Sequence, residues 1–115
     1  MFALNFYSPI VAEQLRSLRK TATIRLGDKS RKYQKGQIVS VLVGARYGPR
    51  QKIFDAVIDK VDVKRLADLS PREIEHDNPE IRRPEEMAVF LGQLYNREVS
   101  GDDIVTVIRF SEIRA

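Results

Sequence analysis

The chain contains no cysteine and no tryptophan, and only one histidine, His76. Without thiols there is no disulfide, no thiolate nucleophile and no cysteine-built zinc site, and a lone imidazole argues against a histidine-built metal centre or catalytic triad. No metal and no cofactor are expected. Long apolar runs are also missing: none approaches the roughly 20 residues of a membrane-spanning helix. The opening "MFALNFYSPIV" lacks the basic start and long apolar middle of a signal peptide, so the expected location is cytoplasmic. Any chemistry must therefore rest on hydroxyl, amine and carboxylate groups.

What is present is an ordinary globular composition, 43% hydrophobic and 31% charged over 115 residues. Dividing that length between two cores would leave each too small to bury enough apolar surface, so a single domain over residues 1–115 is expected. The net charge of +4 hides an asymmetry. Residues 1–65 carry fourteen basic and five acidic groups, and residues 66–115 carry six and eleven. A basic half of this kind offers a surface to an anionic partner, nucleic acid being the commonest.

Hydrophobic periodicity gives the order of elements. "FALNFY" alternates as a first strand, and Ser8-Pro9 signals a helix start, followed by an apolar stripe of Val11, Leu15 and Leu18 and an end near Arg19. In "TATIRL" Thr21, Thr23 and Arg25 fall on one side of a second strand and Ala22, Ile24 and Leu26 on the other. A loop rich in lysine and arginine follows. "QIVSVLVGA" reads as a central strand covered on both faces, and after the turn "RYGPRQ" the segment "KIFDAVIDKVDV" returns antiparallel to it. Gly44, Gly48 and Pro49 serve that turn, and Arg46 and Arg50 extend the basic surface. Ser70-Pro71 repeats the cap-plus-proline signal, residues 77–84 read as a loop, and Met87, Phe90, Leu91 and Leu94 form a core-facing helical stripe. "DIVTVIRF" closes the chain as a strand. The expected fold is α+β: a small mixed β-barrel of about five strands with helices covering its rim and a cleft among them.

The stretch "LRKTATIRLGD" followed by "YQKGQIVSV" resembles the ASCH family, small proteins with a PUA-like β-barrel. The residues that carry the resemblance are Arg19, Lys20, Thr21, Thr23 and Arg25, then Tyr33, Gly36 and the run Ile38 to Val41. Many ASCH sequences have glutamate at the position of Thr23. Threonine there is similar to the subgroup of ASCH amidohydrolases that remove acyl groups from N4-acetylcytidine, whose strand reads much like "RKTATIR". For that subgroup the resemblance implies a catalytic set of Lys20, Thr23 and an acid, Asp77 or alternatively Glu75.

The resemblance to PUA-like domains also implies binding of RNA or a modified nucleoside. Lys20, Thr21 and Arg25 then contact the ligand, Tyr33 or Tyr7 stacks on a base, and Lys29, Arg31, Lys32 and Lys35 hold phosphates from a mobile loop. His76 reads as an ordinary surface histidine. The two functions share Lys20 and Thr23 but differ in what they ask of them. Binding needs Lys20 protonated, whereas catalysis needs it as a base and Thr23 as nucleophile. Because positions 20 and 23 point to opposite faces of a regular strand, catalysis also requires Lys20 to lie ahead of the strand or at a bulge.

Overall fold

A computed structural model describes residues 2–45 and 47–114, so the expectation for Arg46 lies outside the described residues. The elements follow the order β1 (Phe2–Phe6), α1 (Pro9–Arg16), β2 (Ala22–Leu26), β3 (Ile38–Gly44), β4 (Arg50–Arg65), a 3-10 turn (Leu66–Asp68), α2 (Pro71–Asp77), α3 (Pro84–Tyr95) and β5 (Ile104–Glu112). The fold is α+β, a single five-stranded sheet in the order β1-β3-β4-β5-β2, curled into a half-barrel with three helices. β1 runs parallel to β3, and the remaining pairs are antiparallel.

β4 is sixteen residues long because it serves two neighbours, pairing with β3 through its first half and with β5 through its second. A register shift between Ile58 and Lys60 leaves Asp59 as an extra residue. Such a bulge bends the strand and increases its twist, which helps the sheet curl. At the hairpin into β4, a Cβ on Gly44 would collide with the Pro49 carbonyl oxygen, so the close approach requires glycine.

Two apolar clusters lie on opposite faces of the sheet. Inside the curl, Leu4, Phe6, Val39, Val41, Ile58, Ile108 and Phe110 pack with Ala12 and Leu15 of α1. Outside, Ile24, Val105 and Val107 pack under Leu66, Ile74, Met87 and Leu91 from the helical segment. β2 is therefore covered on both faces. β3 is not: Val39, Val41 and Val43 are buried, but Ile38 is exposed and Ser40 and Leu42 are half-buried, which corrects the expectation of a strand buried on both sides. The helices cover the outer face at β2 and β5, and the outward row of β3 is left partly in solvent.

Helix ends hold two further departures. Ser70 forms the full capping box, accepting from the Glu73 N–H while Glu73 accepts from the Ser70 N–H, but Ser8 makes no side-chain cap. α1 stops at Arg16, and Leu18 is not part of its stripe. Instead Leu18 adopts a left-handed φ of 62° while its N–H bonds the Leu15 carbonyl and that of Arg19 bonds the Gln14 carbonyl. This is a Schellman turn with leucine where glycine usually sits. On α3 the buried row ends at Leu91. Leu94 is 59% exposed, against expectation, and the next position four residues on, Tyr95, uses its hydroxyl to accept the Leu26 N–H.

The two sheet edges, β1 and β2, are closed by side chains. Along β2 the Ile24 N–H donates to Asp77 Oδ1 at 2.9 Å and the Leu26 N–H to Tyr95 at 3.2 Å. Along β1 the Ala3 carbonyl accepts from the Tyr33 hydroxyl and the Asn5 carbonyl from the Arg25 guanidinium. Arg25 thus ties one edge to the other. Unpaired strand edges invite association, and here they are blocked.

Candidate functional site

The Schellman turn after α1 delivers Lys20 to the seam between the two edges. Lys20 lies ahead of β2, not within it, and its N–H bonds the Gln14 carbonyl. Its side chain runs inward, leaving 5% of the residue exposed, and Nζ donates to Asp77 Oδ1 at 2.9 Å and to the Asp77 carbonyl at 2.8 Å. The Phe6 ring centroid lies 5.2 Å from the same ammonium. Burial pushes the Lys20 pKa down from its ordinary value; the Asp77 carboxylate opposes this, and the Arg25 charge adds to the lowering.

Asp77 sits at the end of α2 and is 6% exposed. Its Oδ1 receives both the Lys20 ammonium and the Ile24 N–H, so one oxygen neutralises a buried cation and finishes the β2 edge. Of the two acids weighed from the sequence, Glu75 points into solvent and Asp77 meets the lysine. Next along β2, Thr23 is 3% exposed and its hydroxyl accepts from Arg25 Nε at 2.9 Å. Arg25 Cζ lies 5.0 Å from the Phe6 centroid, so Phe6 collects both cations of the seam. Lys20, Thr23, Arg25 and Asp77 are thus brought to one corner of the half-barrel.

Beside this corner opens a cleft of about 390 Å³. Lys20 and Thr21 form one wall with Leu18, and Phe54, Asp59, Phe110 and the end of β5 form the others. Thr21 is half-buried, with its N–H on the His76 carbonyl and its carbonyl accepting from Phe110. Thr23 and Arg25 are not among the lining residues.

The basic loop is elsewhere. The structure contradicts a stacking role for Tyr33: the residue is 3% exposed, packs in the inner core and spends its hydroxyl on Ala3 of β1. Lys32 lies over the Tyr33 ring at 5.3 Å. Lys29 is half-buried, and Arg31, Lys32 and Lys35 are exposed, but none of the four lines the cleft. The loop leaves from the Leu26 end of β2 and Lys20 enters at the other end, a separation of about 13 Å along the strand. Nor is the loop held loosely: Gly27 N bonds Ile104 O, Lys29 N bonds Thr106 Oγ1 and Gly36 N bonds Ile58 O. Tyr7 is half-exposed beneath the Arg50 guanidinium and also lies outside the cleft.

Three solved structures share this fold. One is an ASCH domain from Lactobacillus crispatus (TM-score 0.65, 16% identity, 90% of this chain and 70% of that one). The fold is that of an ASCH domain. A second is protein EF3133 from Enterococcus faecalis, assigned to DUF984 (TM-score 0.71, 18% identity, 98% of this chain and 82% of that one). The third is the hypothetical protein PH0355 (TM-score 0.65, 19% identity, 96% of this chain and all of that one). No protein-family model and no curated protein matches the sequence. Within this ASCH fold, the contributions of Phe6, Phe54, Phe110 and Arg109 were missed from sequence. Arg109 had a visible signal, being the one charge inside the apolar run "IVTVIRF". The phenylalanines had none, because an inward aromatic reads as core wherever it falls.

Among the described residues no helix is long and apolar enough to cross a membrane, and no group of three or more histidine or acidic side chains is placed to hold a metal.

Proposed function

We propose that this chain is a nucleoside-recognition module, in which one base or modified nucleoside, free or within RNA, seats in the cleft beside Lys20. The observation that carries this reading is Lys20 itself, a buried ammonium fixed by Asp77 at the wall of a cleft of about 390 Å³. That volume suits one small ligand and not a folded helix. Phe54 and Phe110 offer apolar surface, and Thr21, Asp59 and Arg109 supply donors and acceptors around it. Two of the three ammonium protons are already committed to Asp77, which favours a fixed positive charge over a proton acceptor. The test is an equilibrium titration with cytidine and N4-acetylcytidine. Lys20→Met combined with Asp77→Asn removes both charges together, so that neither is stranded in the interior. Saturable binding that this double variant weakens at least about tenfold supports the reading; equal affinity overturns it.

A second reading, an amidohydrolase acting on N4-acylated cytidine, draws on two observations. Burial lowers the Lys20 pKa, and the Arg25 guanidinium on Thr23 Oγ1 would stabilise a developing alkoxide. Lys20 would take the Thr23 proton while Oγ1 attacks the acyl carbon. The C–N4 bond would break with proton return to N4, and water would then release the acyl group from Thr23. Turnover of N4-acetylcytidine, followed by ultraviolet absorbance and lost in Thr23→Ala, would establish it. The absence of Thr23 from the cleft wall makes it the weaker reading.

A further inference from the structure

Around the corner from the cleft, a second groove of about 300 Å³ runs between α2 and the outer face of β4. Its two walls carry basic side chains facing one another, with Asp62, Asp68 and Glu73 lining the groove between them. On the sheet, Lys60 of β4 and Arg109 of β5 are directly opposite in the antiparallel register. Like charges in that relation destabilise a sheet, and ordinary packing offers no gain to offset them. On α2, Arg72 and His76 are four residues apart, on one side of the helix, and both line the same groove. Lys60 and Lys64 have carboxylate partners, Asp62 at 3.1 Å and Glu73 at 2.8 Å. Arg72 and Arg109 form no ion pair among the described residues, so the groove keeps two guanidinium groups available to an anion. Arg109 lines this groove and the cleft beside Lys20 alike.

We propose that this groove is a phosphate subsite for RNA: a single strand whose nucleoside occupies the cleft passes over Arg109, and the adjoining phosphodiester lies between Arg72 and Lys60. The inference rests on the nucleoside reading of the cleft, and it moves phosphate recognition from the basic loop of residues 29–35 to the α2 groove. Guanidinium groups suit the task because their paired N–H groups match phosphate oxygens. The ligand class that follows is an oligoribonucleotide and not a free nucleoside or nucleotide.

The test compares cytidine, a fluorescent pentaribonucleotide of cytidine and inorganic phosphate on the wild type and on Lys60→Gln/Arg72→Gln. Lys60 is well exposed and Arg72 lies on the solvent side of α2, so the substitutions leave the core intact. The wild type is expected to bind the oligonucleotide at least about tenfold more tightly than cytidine. The double variant loses about tenfold of that affinity. Its slope of log affinity against log salt falls by about 0.7 for each phosphate contact removed, while cytidine binding is unchanged. An oligonucleotide no tighter than cytidine, or unaffected by the double variant while cytidine still binds, overturns the subsite and leaves the nucleoside reading standing. Oligonucleotide binding that depends on Lys60 and Arg72 without any cytidine binding keeps the subsite and overturns the nucleoside reading. Displacement of the oligonucleotide by inorganic phosphate at about 10 mM overturns the assignment to RNA, and failure of both ligands to bind overturns both readings.

Discussion

Removing the Asp77 carboxylate is the sharpest perturbation of the seam, because one oxygen does two things. In Asp77→Ala the Lys20 ammonium keeps the carbonyl of residue 77, at 2.8 Å, and the face of the Phe6 ring, and loses the carboxylate at 2.9 Å. The Ile24 N–H loses its acceptor in the same step. Breaking a buried ion pair from one side costs about 3–5 kcal/mol, because the remaining charge is stranded. An unpaired buried N–H costs about 1–3 kcal/mol, and the two effects overlap because they share one oxygen. Lys20 can limit the loss by releasing its proton, since burial already lowers its pKa. We therefore expect Asp77→Ala to lose about 3–5 kcal/mol at pH 7 and Asp77→Asn about half as much, since the amide oxygen still accepts from Ile24. With a urea m-value of about 2 kcal/mol per molar, the midpoint for alanine falls by roughly 2 M. Joint replacement by Lys20→Met/Asp77→Asn should recover most of the loss, because both charges leave together while the amide oxygen still accepts from the Ile24 N–H. Equilibrium urea unfolding of the four proteins measures all of this. A loss under about 1 kcal/mol in Asp77→Ala, or a joint variant no better than the worse single one, would refute the reasoning.

Two further outcomes follow from the same corner. The folded pKa of Lys20 lies below its unfolded value of about 10.5, so between the two the unfolded chain binds more protons and stability rises with pH. Relative to Lys20→Met, the wild type should therefore gain stability as pH rises through that window and lose the gain as pH falls below the folded pKa; parallel urea titrations from neutral to alkaline pH that show no difference in slope would contradict it. At Leu18, a left-handed φ of 62° costs a bulky residue about 1–2 kcal/mol that glycine escapes, although glycine has the more flexible unfolded chain. Leu18→Gly should thus leave thermal stability unchanged or raise it, and a fall of several degrees in Tm would show that the leucine packs more than its 45% exposure indicates.

Much of the architecture was legible because local signals agreed with the fold. The alternation of "FALNF" and "ATIRL", the proline at each helix start and the β-branched run after Gly36 all became the elements expected of them. What the sequence concealed was closure. Nothing local says that Tyr33 turns its hydroxyl to β1, or that the outer row of β3 lies beyond the reach of the helices. Within the site, residues adjacent in sequence were the legible ones: Lys20 lies ahead of its strand, and Thr23 and Arg25 share a face. The meeting of Lys20 with Asp77 spans 57 positions and rested on resemblance alone. The basic loop was legible as charge but not as position, because charge density along a sequence carries no information on direction, and its lysines leave from the far end of β2.

The most direct test of the central claim is a two-dimensional nuclear magnetic resonance titration of the isotope-labelled chain with cytidine and N4-acetylcytidine. Nucleoside recognition beside Lys20 predicts saturable shifts at the amides of Leu18, Thr21, Phe54 and Phe110, with those of residues 29–35 unmoved. Shifts confined to residues 29–35, or no saturable shift at millimolar ligand, would contradict it.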